Sequence, residues 1–144
     1  MNTIQIKYHD AEMPKLEFIG GKSDWIDLRA SKEYNLKANE FTLIDLGISI
    51  KLPEGYEAHI APRSSTFKNY GIIQVNSVGV IDESYCGETD VWKLPVLATR
   101  DVTIGKHDRI CQFRILEKMK DIEIVTVDHL SETARGGFGS SGVK

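Results

Sequence analysis

Cysteine is nearly missing from this 144-residue chain, which holds only Cys86 and Cys111. Two thiols exclude the disulfide framework of a small secreted module and suit a reducing, cytoplasmic setting. No run of about 18 apolar residues occurs, so a membrane-spanning helix is not expected. The opening MNTIQIKYHDAEMPK has no apolar centre of the kind a secretion signal needs. The expectation is a soluble, untargeted protein. A basic excess is lacking too, since 18 Lys and Arg stand against 21 Asp and Glu, for a formal net charge of −3 and a pI near 5.8. Stable nucleic-acid binding and docking on anionic membranes are therefore not expected, and any anionic ligand must be met by local cations. Internal repeats and linkers are absent as well.

What is present is a core's worth of apolar residues, 41% of the chain, in a length that suits one domain. They alternate. In FTLIDLGISIKLPEGYEAHIAP, Leu46, Ile48, Ile50 and Leu52 take every second place, and Pro53-Glu54-Gly55 turns the chain before Tyr56, Ala58 and Ile60 resume the pattern. This predicts a hairpin. Similar runs span 4–7, 72–81, 91–99, 102–104, 108–115 and 122–127, and so many short strands predict a sandwich or barrel-like all-β fold. The one helical candidate is SSTFKNYG, with Ser64 as N-cap and Gly71 just past its end.

Three stretches carry chemistry. APRSSTFKNYG brings Arg63, Ser64 and Ser65 to a strand-to-helix junction, where a permanent cation, hydroxyls and free N–H groups suit an anion. An ordinary cap beside a surface arginine is the plain alternative. NSVGVIDESYCGE holds Asp82 at a strand end, a fit position for a general base acting on water, with Tyr85 in the following turn; a common Asp turn over a packed tyrosine is the alternative. GKHDRICQF offers Arg109 and Gln112, which strict alternation sends to opposite faces, Arg109 to a structural pairing and Gln112 to a ligand.

The final stretch, TARGGFGSSGVK, has four glycines between 136 and 142. Ordering it costs more backbone entropy than one phenylalanine returns, so a mobile arm is expected. It superficially echoes the phosphate loop GxxxxGK[ST], but its lysine comes one residue late and no Ser or Thr follows. The reading that remains is a lid: Phe138 stacks on a planar ring, Arg135 pairs with phosphate, and Ser140, Ser141 and glycine N–H groups such as that of Gly139 donate to oxygens.

Together DLRA (27–30), PRSS (62–65), GVIDESYCGE (79–88), DRICQ (108–112) and RGGFGSSG (135–142) stand in the order of five motifs. On them the chain resembles the trimeric dUTPase (dUTP diphosphatase) family along nearly its whole length. The resemblance implies a jelly-roll-like β barrel over 1–132, with a C-terminal arm over 133–144, assembled as a homotrimer whose active sites are shared among chains. It implies Mg²⁺-dependent hydrolysis of dUTP to dUMP and pyrophosphate, which limits uracil incorporation into DNA and supplies dUMP for dTMP synthesis. Asp82 would activate water for attack on the α-phosphorus. Tyr85 would exclude a 2′-hydroxyl, and uracil would be read by Asn76 and by the backbone of Gly79, Val80 and Ile81. Arg63, Ser64, Ser65 and Gln112 would position the phosphates, while Arg135, Gly139 and Ser140 or Ser141 close on the γ end and Phe138 covers the base. Mg²⁺ would be bound by phosphates and water with no direct protein ligand, and Asp27 would act through water or hold Arg63.

Two departures stand out. Arg135 precedes Phe138 by three residues rather than the five of the family pattern, and Thr133 occupies the arginine's place. The run after Gly87 includes Trp92 and Pro95, with Trp92 read as core or as a neighbour of the site. Two other functions fit the fold: a dCTP deaminase, which needs a glutamate base and has no such arm, and a nucleotide-gated regulator that binds a partner protein.

Overall fold

Period-two burial is the rule along this chain, and it sets the architecture. The computed structural model describes residues 1–139 and 142, and among them it contains eleven strands and one helix. The elements are β1 (Gln5–Tyr8), β2 (Ile26–Arg29), β3 (Tyr34–Leu36), β4 (Phe41–Asp45), β5 (Ile48–Lys51), β6 (Tyr56–Pro62), α1 (Thr66–Tyr70), β7 (Ile72–Gln74), β8 (Gly79–Ile81), β9 (Lys93–Ala98), β10 (Val102–Ile104) and β11 (Arg109–Glu117). They form four antiparallel sheets, ordered β1-β5, β10-β3, β2-β11-β6-β8 and β4-β9-β7. The all-β, jelly-roll-like expectation holds. Inward side chains of these sheets meet in one core that includes Leu28, Ile44, Ile48, Ile60, Leu94 and Ile104.

Trp92 lies wholly inside that core, edge-on to Phe113 at 5.1 Å between centroids and 83° between planes. Edge-to-face packing of two large rings adds to what their burial contributes. The core reading of this tryptophan is the one the structure supports.

The hairpin expected across Pro53–Gly55 does not form. Its turn exists, with the Tyr56 N–H donating to the Pro53 carbonyl at 3.2 Å, but β5 pairs with β1, and β6 pairs with β11 and β8. The chain passes from one sheet to another at that turn. Ile48, Ser49 and Ile50 are buried in succession, so β5 is covered on both faces. Ser49 tolerates this because its hydroxyl meets His9 Nε2 at 2.8 Å and the Glu88 carbonyl at 3.3 Å. The run over 72–81 is likewise two strands, β7 and β8, in different sheets.

A strand over 122–127 is also not formed. Ile122 and Ile124 alternate as a strand would, yet they are 62% and 88% exposed, and among the described residues they pair with no strand. Among the described residues the main chain's last hydrogen bond to the barrel is from the Lys118 N–H to the Gly55 carbonyl at 2.9 Å. The helix begins one residue later than expected: Ser65, not Ser64, is the N-cap, and its hydroxyl makes no capping bond. Thr66 instead ties the helix start to the segment before it, as shown below. At the other end Gly71 takes a left-handed φ of 61°, and its N–H donates to the Phe67 carbonyl at 2.7 Å.

Candidate active site

One cluster forms where β6 runs into α1. Asp27 on β2 accepts from Arg63 Nε at 3.0 Å through one oxygen and from Arg109 Nη1 at 3.3 Å through the other. The arginines thus share a carboxylate that keeps two like charges close together. The buried Thr66 fixes the junction: its Oγ1 accepts the Arg63 N–H at 2.8 Å and donates to the Ile110 carbonyl at 2.9 Å. Asp108 Oδ2 accepts from the Tyr70 hydroxyl at 2.9 Å and from the Gly105 N–H at 2.8 Å, tying α1 to the turn before β11. Ser64 is exposed and Ser65 half-buried beside Arg63.

Gln112 lies on β11 opposite Asp27 on one side and Ala61 on the other, and its Nε2 donates to the Pro62 carbonyl at 3.0 Å. Arg109 and Gln112 were expected on opposite faces, and they are not. A β-bulge between Arg109 and Cys111 inserts Ile110 as an extra residue, so Ile110 and Cys111 are both buried and the alternation changes phase. Arg109 and Gln112 therefore line the same pocket as Asp27. Burial pushes the Cys111 thiol pKa far up, which makes it inert packing.

A second cluster forms in the turn after β8. Asp82 Oδ2 accepts the Ser84 hydroxyl and, at 2.8 Å, the Ser84 N–H. The hydroxyl first, then the N–H, hold its carboxyl below the ordinary value of 3.8, and burial acts weakly against them. Lys118 Nζ stands 4.0 Å from Asp82 and 3.5 Å from Glu83. The Tyr85 hydroxyl donates to the Val91 carbonyl at 3.0 Å, which lays the exposed ring along a cavity of about 430 Å³ lined by Val80, Ile81, Asp82 and Lys93. Asn76 lies on the other side of β8, in the β7–β8 connection. A Cβ built on Gly79 would lie 3.5 Å from its Nδ2 and 3.2 Å from Ile60, so only glycine fits there without a shift.

The register of β6 sets these clusters apart. Ile81 pairs with Ala58, five residues before Arg63, which is about 16 Å along a strand. Asp82 lies one residue farther in the opposite direction. The structure gathers Asp27, Arg63, Arg109 and Gln112 at one end, and Val80, Ile81, Asp82 and Tyr85 around one cavity toward the other, whereas Gly79 stands opposite Ile60 with Asn76 beside it, nearer the Arg63 end. Arg135, Phe138 and Gly139 are exposed and join neither. Ser140 and Ser141 lie outside the described residues. Thr66, Ser84 and Lys118 were not singled out from the sequence. An Asp-x-Ser turn signals the Ser84 contact, whereas the other two depend on strands distant in sequence.

By fold, the chain is a jelly-roll-like β protein, and its clustered guanidiniums and separate acidic hairpin are of the kind suited to phosphate chemistry. The family profile for dUTPase matches residues 24–142, and the chain belongs to the dUTPase family. It is 52% identical over 141 residues to the SPbeta prophage-derived deoxyuridine 5′-triphosphate nucleotidohydrolase YosS of Bacillus subtilis, covering 98% of this chain and 99% of that one. Among solved structures it is similar to the Staphylococcus bacteriophage 80alpha dUTPase with dUpNHpp, with a TM-score of 0.80 at 19% identity, over 99% of this chain and 100% of that one. It is also similar to a mutant dUTPase of phage phi11 of S. aureus, described as revealing the coordination of a structural Mg(II) ion. There the TM-score is 0.76 at 16% identity, over 91% and 100% of the two chains.

Proposed function

We propose that the protein is a cytoplasmic dUTP diphosphatase that converts dUTP to dUMP and pyrophosphate at sites shared between the chains of a homotrimer. Family membership over nearly the whole chain supports the reaction. The observation that carries the shared site is the separation along β6: Asp82 and the Arg63–Gln112 end lie too far apart in one chain to act on the same phosphorus. A neighbouring chain's hairpin brought against the Arg63 end supplies what one chain lacks.

In this reading Arg63, Ser64, Ser65 and Gln112 bind the phosphate chain, and the uracil sits against Asn76 and the main chain of Gly79, Val80 and Ile81. Tyr85 underlies the deoxyribose. Asp82 accepts a proton from water as its oxygen attacks the α-phosphorus, and the bond to the bridging oxygen breaks with its electron pair leaving on pyrophosphate. Phe138 covers the base, while Arg135, Gly139, Ser140 and Ser141 meet the outer phosphates. Both Asp27 oxygens already serve arginines, so the donor set fits Mg²⁺ carried by phosphates and water, with Asp27 reached through water. The ion, when bound, neutralises phosphate charge.

A nucleotide panel scored by pyrophosphate release tests the reading. Release from dUTP, with little from dCTP, dTTP or UTP, is expected. Ammonia released from dCTP would indicate the deaminase instead, and no turnover of any nucleotide would remove the enzymatic assignment.

A further inference from the structure

Asp27, Arg109 and Gln112 form one wall of a pocket of about 550 Å³ whose other wall is residues 14–25, a stretch outside all five motifs. Six charged side chains line it: Lys15, Lys22, Arg29 and Arg109 against Glu17 and Asp27. Four cations against two carboxylates make a positive concavity in a chain whose net charge is −3. Three of the cations are already engaged. Arg29 Nη1 donates to the His107 carbonyl at 2.9 Å, Arg109 pairs with Asp27, and the Lys15 ammonium rests 4.0 Å from the centre of the Tyr8 ring.

Lys22 differs. Ion pairs of lysine among the described residues involve Lys7, Lys37, Lys106 and Lys118, and not Lys22. Its backbone is pinned in a turn, with the N–H groups of Lys22 and Ser23 both donating to the Ile19 carbonyl, at 3.2 and 3.3 Å. Lys22 thus lines the pocket from a closed turn and has no ion-pair partner among the described residues.

We propose that Lys22 binds the terminal phosphate of the nucleoside triphosphate, so that the 14–25 segment adds a cation to the phosphate end of the site. The inference rests on assigning Gln112 and Arg63 to the phosphate chain. The terminal phosphate carries the largest share of the ligand's charge, and this pocket continues from Gln112 across to Asp27 on β2, the carboxylate that holds Arg63. Trp25 backs the pocket and stiffens it, with the Arg114 guanidinium 5.9 Å from its ring and its N–H donating to Ser23 Oγ at 3.1 Å.

Calorimetric titration of the full chain with Mg²⁺ and either dUMP or a non-hydrolysable dUTP analogue tests this, using wild type, Lys22→Ala and Lys22→Arg. Loss of one charge-assisted contact should weaken analogue binding about tenfold in Lys22→Ala. Binding of dUMP should stay unchanged, and Lys22→Arg should recover most of the loss. Equal analogue affinity in wild type and Lys22→Ala overturns the proposal, as does an equal loss for dUMP and analogue. A wild-type chain that neither binds the analogue nor cleaves dUTP would instead overturn the proposed function, so the two failures are distinguishable. Lys22 is exposed, and an unchanged melting temperature in each variant shows that the fold is intact.

Discussion

Asp82 is kept ionised by its own turn. The Ser84 hydroxyl and N–H both favour the carboxylate form, so its pKa lies below the usual 3.8. A depressed pKa preserves the basic form to lower pH than an ordinary aspartate allows, and the basic form is lost only as pH falls through the folded value. Asp82→Asn keeps the size and removes the basicity; hydrolysis should fall by at least about a hundredfold while the dUTP analogue still binds. Near wild-type turnover would take Asp82 out of the chemistry. Ser84→Ala removes the larger cause of the shift and leaves the N–H, so the acid limb of the kcat/KM profile should move to higher pH. An unmoved limb would mean that the limb reports another group. Asp82 was legible in the sequence as a carboxylate at a strand end. Its environment was legible only as a local turn, because Lys118 arrives from the far end of β11.

Elements were legible where one face meets the core and the other meets water. The pattern found β6, β9, β10 and β11 nearly in place, and it failed where burial departs from period two. β5 is covered on both faces, which hid its break from β6's sheet, and the Ile110 bulge reversed the phase on which the facing of Arg109 depended. β2, β3 and β4 went unread. Residues 122–127 show the opposite failure, since alternation alone, with no partner strand among the described residues, makes no strand. Gly71 was read correctly as a helix end, and its geometry sets a test. A Cβ there would approach Arg100 Nε to 2.7 Å at a φ of 61°. Gly71→Ala should therefore cost about 1–2 kcal/mol for the left-handed backbone alone, seen as a lower melting temperature. No loss of stability would mean that α1 ends differently. The arm gives a second test at this scale. Trypsin should cut after Arg135 readily in the free and dUMP-bound protein, and slowly with Mg²⁺ and the dUTP analogue, because only the triphosphate offers both a ring and enough oxygens to order the segment. Equal cutting in all three states would leave the arm without a closing role.

On the proposed reading, the molecule as a whole holds two halves of a site that one chain cannot join by itself. Five motifs made the family legible, and the antiparallel register of β6 with β8 and β11 then fixes how far apart the halves lie. A shared site requires neighbouring chains, and subunit mixing tests that requirement most directly. Asp82→Asn chains and chains truncated before Thr133 are each nearly inactive on this view. In a trimer that draws hairpin and arm from different chains, mixed assemblies contain one intact site of three. Equal random mixing should then restore about a quarter of the wild-type rate of pyrophosphate release from dUTP. No recovery after subunit exchange has been verified, or a particle of 16.2 kDa in solution with full activity, would contradict the shared site.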